Sequence, residues 1–360
     1  MAQKRNGFID IMKLIFCFGV VLNHLNAISI SSQMDTIIMR FGFLGVEFFF
    51  IVSGYLMAKS ADRDFPKNTT EIGAATWKFL GHKLAIILPS YFVAWAIGFV
   101  ANQIINKFTA EVVLKNLINS IPAFLQLEML GVPCYQVLSP TWYVSAMLIA
   151  MLFIYPFLLM KGQMFRTVAS PIIAVISYGY LAVKVGILAT IEPLEGEWVH
   201  TGLFRAFGGL SIGTIVFEIA ENVLPNKRHS KVKLTAIELG CFICALLSMS
   251  SQTIFRPDFI VVLLLGIAVT LSFSGQTFTN KILPNPPRWL GKLSLSIYLI
   301  DAPVRTIITY LMPEEMNVSR YVPCIVLTII MGIITMLGGD FIKWFTGKKG
   351  SKMKKQANTI

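Results

Sequence analysis

The chain has 360 residues, of which 55% are hydrophobic and only 14% charged, and its mean hydropathy is +0.68. Soluble chains carry about 25% charged residues, so a soluble enzyme on a single anchor is excluded, and the same apolar content excludes disorder. The net charge of +12 reads, in so apolar a chain, as basic cytoplasmic loops rather than as a nucleic-acid surface.

A membrane-crossing helix needs roughly 20 mostly apolar residues. Ten stretches meet this in chain order: 8–28, 41–60, 79–101, 138–160, 168–189, 203–221, 234–252, 257–273, 290–312 and 321–345. Residues 111–130 carry Lys115, Pro122 and Glu128 in a weakly amphipathic run and are expected at the surface. With an inner N-terminus, most of the 31 Lys and Arg fall on the inner side. Arg40, Lys107, Lys115, Lys184, Arg205, Arg256, Arg305 and Arg320 remain outside. The alternation holds loop by loop, as basic cytoplasmic loops require. The expected fold is an all-α polytopic membrane protein with about ten transmembrane helices, both termini cytoplasmic, ending in a basic tail at 346–360. No small-residue cleavage site follows 8–28, so that segment is expected to act as a signal anchor. No appended soluble domain and no internal repeat are expected.

The first segment holds Asp10, Lys13 and His24. At about 100° per residue, His24 returns to within roughly 20° of Lys13, and Asp10 lies roughly 40° off the same face. The stripe points into the bundle, with His24 about 16 Å outward of Lys13. Charged groups in the apolar layer are functional candidates, although an Asp10–Lys13 interfacial pair and a satisfied buried histidine also account for the spacing. The second segment reads FGFLGVEFFFIVSGYLM. It brings Glu47 to about the depth of His24, where a carboxylate can orient an imidazole as general base. Ser53 and Gly54 permit a close approach, and Tyr55 adds a hydroxyl. Asp301 and Arg305, one turn apart on the ninth segment, read as a mutually neutralising pair. Glu218, Glu238 and Asp340 are expected to meet basic loops.

Among the cysteines, Cys241 and Cys244 form a CxxC without acidic or histidine neighbours, which gives no metal site. Cys134 and Cys324 both fall on the outer side, where a disulfide is open. His82, His200 and His229 have no metal-ligand spacing.

Three stretches resemble the acyltransferase 3 family of bacterial membrane O-acyltransferases. FIDIMKLIFCFGVVLNHL is similar to its opening helix, with Asp10, Lys13 and His24 at the acidic, basic and histidine positions. LGVEFFFIVSGYLMA resembles its G-V-acidic-Phe-rich-S-G stretch, with Glu47 as the acid. LGKLSLSIYLIDAPV resembles its late serine-rich helix, and PTWYVSAML its W-x-L stretch. The chain departs at HKLAIILPSY, where Lys83 and Ile86 stand for two arginines. It departs again at Asp301, which replaces a common histidine, and in lacking the acid after the W-x-L stretch.

The resemblance implies an acyltransferase 3-like transmembrane domain over 1–345. It implies transfer of an acyl group, usually acetyl, from cytoplasmic acyl-CoA to a hydroxyl of a surface or lipid-linked glycan at the cell membrane, with no bound cofactor. Asp10, Lys13, Lys83 and Lys78 would serve the donor, and His24 would be general base, or carry a transient acyl group, with Glu47 orienting it. Arg205 and Tyr55 would serve the acceptor or an oxyanion. A proton-coupled exporter of lipid-linked saccharide and a non-catalytic scaffold of the same architecture stay open.

Overall fold

Each of the ten apolar stretches forms a helix in the computed structural model, which describes residues 5–29, 38–64, 71–138, 141–226, 229–252, 256–312 and 320–357, with backbone alone at 27–29 and 348–357. Lys4, Lys67, Lys227 and Arg228, assigned above to the inner side, lie outside the described residues. The helices are α1 (Gly7–Ser29), α2 (Gly45–Arg63), α3 (Ile72–Ile105), α4 (Ala110–Asn119), α5 (Ile121–Phe124) and α6 (Trp142–Met164). After them come α7 (Ser170–Lys184), α8 (Thr201–Glu218), α9 (Lys231–Ser250), α10 (Asp258–Phe273), α11 (Arg288–Leu311) and α12 (Tyr321–Ala357). Among the described residues there are no strands, only a bridge between Pro193 and His200.

Seven stretches of the described residues are long and apolar enough to cross a membrane. One of them, 142–184, has 43 residues. At 1.5 Å per residue a straight helix of that length would be about twice the roughly 30 Å hydrocarbon core. It does not run straight. Lys161 leaves helical geometry (φ −141°, ψ 52°), a π-turn follows at Phe165–Ala169, and the chain doubles back. On α6, Trp142 meets Gly202 and Phe153 meets Phe207, so α6 runs parallel to α8. On α7, Ser170 meets Thr214 and Tyr178 meets Gly208, so α7 runs antiparallel to it. The predicted segments 138–160 and 168–189 are therefore two antiparallel helices within one such stretch. The remaining helices fall short on different grounds. Helix α10 is apolar but has 16 residues, and Lys292, Asp301 and Arg305 interrupt α11.

Contacts fix other directions too. Cys17 Sγ donates to the Ser294 carbonyl at 3.2 Å and His24 meets Asp301, seven residues further on along both helices, so α1 and α11 are parallel and in register. Helix α12 runs antiparallel to α3, through Val93 against Gly338 and Lys343 against Ile86. Helices α2 and α8 run parallel in the most buried of the seven apolar stretches, and Gly54 and Gly213 let their backbones touch. A Cβ on Gly54 would lie 2.2 Å from the Leu210 carbonyl oxygen, and one on Gly213 2.2 Å from that of Ile51. Without a hydrophobic force between helices in lipid, such close approach is a main source of packing energy. The outward faces carry Phe92, Phe153, Val175, Leu247, Leu263 and Phe341, all exposed, as a lipid-facing surface demands.

The 111–130 stretch forms α4, α5 and a 3₁₀ turn at Glu128–Leu130, too short to cross. Gly131 closes the turn at φ +77°. The five cysteines are free. Helix α12 continues as backbone helix through the predicted tail to Ala357.

Candidate active site

Asp10 sits in the first turn of α1, nearly buried, between two cations: Arg5 at 2.6 Å and Lys13 at 2.9 Å. These groups border a polar cavity of about 430 Å³ whose wall also includes Asn6, Asn280, Tyr55 and Lys59. The expected proximity of Asp10 and Lys13 is present. Lys59 was not singled out from sequence, although it stands one turn after Tyr55 on α2. Its Nζ donates to Glu221 at 2.5 Å and to Tyr55 Oη at 3.0 Å, and Tyr55 in turn donates to Glu221. Tyr55 therefore belongs to this polar cavity beside Lys13, away from His24 and Asp301. Tyr55, expected to serve the acceptor or an oxyanion, stands here with its hydroxyl bonded to Glu221 and Lys59.

Lys13 also borders a second, apolar cavity of about 240 Å³, together with Lys83, Ile86, Ser53, Tyr143 and Tyr298. The two cavities thus share a cationic boundary, and among the described residues Lys83 has no carboxylate against it. Its ammonium lies 5.5 Å from the Phe79 ring centre. Tyr143 and Ser53 face each other at 3.3 Å, oxygen to oxygen, and the Tyr143 and Tyr298 rings meet edge on at 5.9 Å. Ile86, which stands where a second arginine is common, is part of the apolar wall.

His24 lies further along the register of α1 and α11. Its Nδ1 is 2.7 Å from Asp301 Oδ2, and Asp301 is buried at 1% exposure. Arg305 Nε donates to the same oxygen at 3.3 Å, so the expected Asp301–Arg305 pair exists but has a third member. Facing a carboxylate, Nδ1 is the donor of this bond, and in the neutral ring Nε2 then keeps its lone pair. Nε2 has no hydrogen bond among the described residues.

Glu47 does not meet His24. It is fully buried and accepts from Arg205 Nε at 2.7 Å and from Tyr178 Oη at 2.5 Å. Arg205, at 1% exposure, also donates to the Phe43 carbonyl at 3.3 Å and lies 4.9 Å over the Trp142 ring. Glu47 departs from the sequence reading for a physical reason. A buried charge is stable only when paired and hydrogen-bonded, and here the two charges satisfy each other across α2 and α8. Glu47 is left no face for His24. Arg205 spends its Nε and one terminal nitrogen on these bonds. Glu218 and Asp340 meet basic partners, Arg166 and Lys292, each at 2.6 Å. Glu238 meets only hydroxyls.

On the far side of Tyr298 the 3₁₀ turn buries Glu128, which accepts from Gln136 at 3.1 Å and Thr141 at 3.3 Å. Its Oε1 has no partner among the described residues. Burial, helped by Glu192 nearby and opposed by the Thr141 bond, pushes this carboxyl up to about 7. Sequence reasoning noted Glu128 only as a polar residue in a surface stretch.

The acyltransferase domain model matches residues 6–337. The chain is 24% identical over 383 aligned positions to a protein named peptidoglycan O-acetyltransferase OatA from Listeria monocytogenes serovar 1/2a (strain ATCC BAA-679 / EGD-e), covering 97% of this chain. It spans 58% of that relative's length. No solved structure matches. With nearly its whole length matched and its helices apolar enough for several crossings, this multi-pass membrane protein belongs to the acyltransferase 3 family of membrane O-acyltransferases.

Proposed function

We propose that the protein moves an acyl group, acetyl in the first instance, from cytoplasmic acyl-CoA to a glycan hydroxyl on the outer side of the cell membrane. The observation that carries this reading is the 2.7 Å contact of His24 Nδ1 with buried Asp301. It presents Nε2 as a proton acceptor in a fixed direction, as a general base requires. Nε2 takes the proton of the acceptor hydroxyl as the oxygen attacks the thioester carbonyl, and Asp301 stabilises the imidazolium that results. The CoA thiolate is the leaving group and recovers a proton on release. Arg305, on the same Asp301 oxygen, holds that carboxylate in place.

The donor side of the reading rests on Arg5, Lys13, Lys59 and Lys83 around the two cavities that Lys13 borders. Ammonium and guanidinium groups bind phosphates, and the apolar cavity suits the pantetheine arm and acyl chain. In this reading the ten helices all cross, with the Lys13 end cytoplasmic. The relative's name makes peptidoglycan the first acceptor to test.

The test is mass spectrometry of ester-linked acyl groups on surface glycans from null cells, complemented cells and cells carrying His24→Ala. Complementation should restore the esters. His24→Ala, at equal protein abundance, should remove about 10²- to 10⁴-fold of the rate, as loss of a general base does. Full acylation in the His24→Ala cells would favour a scaffold. Absence of any acyl difference between null and complemented cells would favour the exporter.

A further inference from the structure

Glu238 on α9 is fully buried, and among the described residues no cation stands against it. It accepts from Ser272 Oγ at 2.5 Å and from Thr279 Oγ1 at 2.8 Å on each carboxylate oxygen. Behind Thr279 a chain of polar groups leads to the inner cavity. The Thr277 and Thr279 hydroxyls are 2.8 Å apart. Asn280 Nδ2 donates to Thr277 Oγ1 at 2.9 Å, and Asn6 Nδ2 donates to Asn280 Oδ1 at 3.1 Å.

The direction of this chain is settled by groups that have no choice. The backbone N–H of Ile9 can only donate, and it bonds Asn6 Oδ1 at 3.2 Å. The Ser272 carbonyl can only accept, and it receives Asn6 Nδ2 at 2.6 Å. The Asn6 amide is oriented by these two bonds, so the atom of Asn280 facing its NH₂ must be the oxygen. Asn280 then donates toward Thr277. Each hydroxyl has one hydrogen, and that of Thr279 goes to Glu238, so Thr277 donates to Thr279. Every N–H and O–H in the chain therefore points toward the carboxylate.

Both asparagines border the 430 Å³ cavity. With their N–H groups spent inside the chain, what they have left for a ligand is a lone pair on each amide oxygen. Arg5, Lys13 and Lys59 supply cations in the same cavity, and the stacked rings of Tyr55 and Phe273, 3.7 Å apart, supply its apolar wall. An acceptor pair beside three cations fits a nucleotide whose base carries an exocyclic amino group. We propose that the Asn6 and Asn280 amide oxygens, held in this orientation by the Ile9 N–H and the Ser272 carbonyl, recognise the amino group of an adenine-type base on the acyl donor. The proposal rests on the reading above that the donor is a CoA thioester.

The test uses the purified full chain in lipid nanodiscs and three donors: acetyl-CoA, its hypoxanthine analogue, in which a carbonyl replaces the amino group, and acetyl-pantetheine, which lacks the nucleotide. A site built to bond an amino group leaves its polar atoms unpaired against the analogue. The wild-type chain should therefore show a KM for the analogue about tenfold or more above that for acetyl-CoA. Asn280→Ala removes one of the two acceptor oxygens and should bring the two KM values together. Equal KM values for the two bases in the wild-type chain, a comparison that needs no variant to fold, would overturn the proposal. An Asn280→Ala defect as large with acetyl-pantetheine as with acetyl-CoA would also overturn it, since the side chain would then serve only the fold. Transfer from none of the CoA thioesters would remove the donor reading itself, a result distinct from loss of base preference.

Discussion

Asp301 Oδ2 receives both the His24 ring and the Arg305 guanidinium, while its Oδ1 is buried with no partner among the described residues. Replacing it by Asn removes the charge and offers His24 an amide that can either accept or donate. If the amide donates, the ring proton moves to Nε2 and the base is lost. Asp301→Asn should lower kcat by about 10²-fold or more, within the span typical of a lost general base, with the KM for acetyl-CoA unchanged. Steady-state kinetics on the purified variant checks this, and an equal rise in KM would instead mean a collapsed donor site. Glu128 gives a second expectation. Its carboxyl is raised from 4.5 to about 7, so the folded chain holds that proton more tightly than the unfolded one. The contribution is fully present below about 4.5 and is lost as pH rises through about 7. The groups around it are Glu192, which His200 faces at 3.7 Å, Cys134 in the same loop, Tyr91 on α3 and Tyr298 on α11. Hydrogen exchange over 120–138 should speed up between pH 5 and 7.5 beyond the intrinsic rate, and Glu128→Gln should flatten that excess. At this scale the sequence showed which side chains were costly to bury, hence His24, Glu47 and Lys13. It did not show their partners. Helical rise places a residue along the membrane normal but says nothing of its neighbour around the bundle. Glu47 was available to His24 by depth, and only packing assigns it to Arg205 on α8 and gives His24 the carboxylate of Asp301.

Helices α2 and α8 lie close enough at Gly54 and Gly213 for one added carbon to collide with backbone. Gly54→Ala must push the pair apart or bend it, at a cost of about 1–3 kcal/mol, and the shift would strain the Glu47–Arg205 bond one end of the contact holds. Gly81→Ala on α3 meets nothing within 4 Å and serves as control. Thermal unfolding in detergent should fall for the first and not for the second. Helix positions were readable because runs of apolar residues of the right length have few alternatives in a chain this hydrophobic. All ten stretches became helices. The fold-back between α6 and α7 was readable from Lys161, Gly162, Gln163 and Arg166, whereas the π-turn that shapes it was not. Nor could Glu238 be assigned from its place near a helix end, since its partners Ser272 and Thr279 come from a hairpin partner and the turn after it.

The relative directions of the helices agree with the alternation of basic residues, since α1 parallels α11, α2 and α6 parallel α8, and α3 and α11 oppose α12. In membrane terms, 102–137 and 190–202 should face outward, and 61–78 and 222–233 the cytoplasm. Single cysteines placed in these four stretches of intact cells should react with an impermeant maleimide only in the first pair. Labelling at 225–231 would overturn the arrangement. The pairing of His24 with Asp301 joins positions 277 residues apart in the chain. During synthesis α1 enters the membrane long before α11 has left the ribosome. Throughout that interval the histidine has no carboxylate to aim it, and the tyrosine of α11 that closes the apolar cavity is also missing. On the proposed reading, a half-made chain can neither orient a base nor enclose a thioester, so no donor is spent on water before the last helices have been delivered.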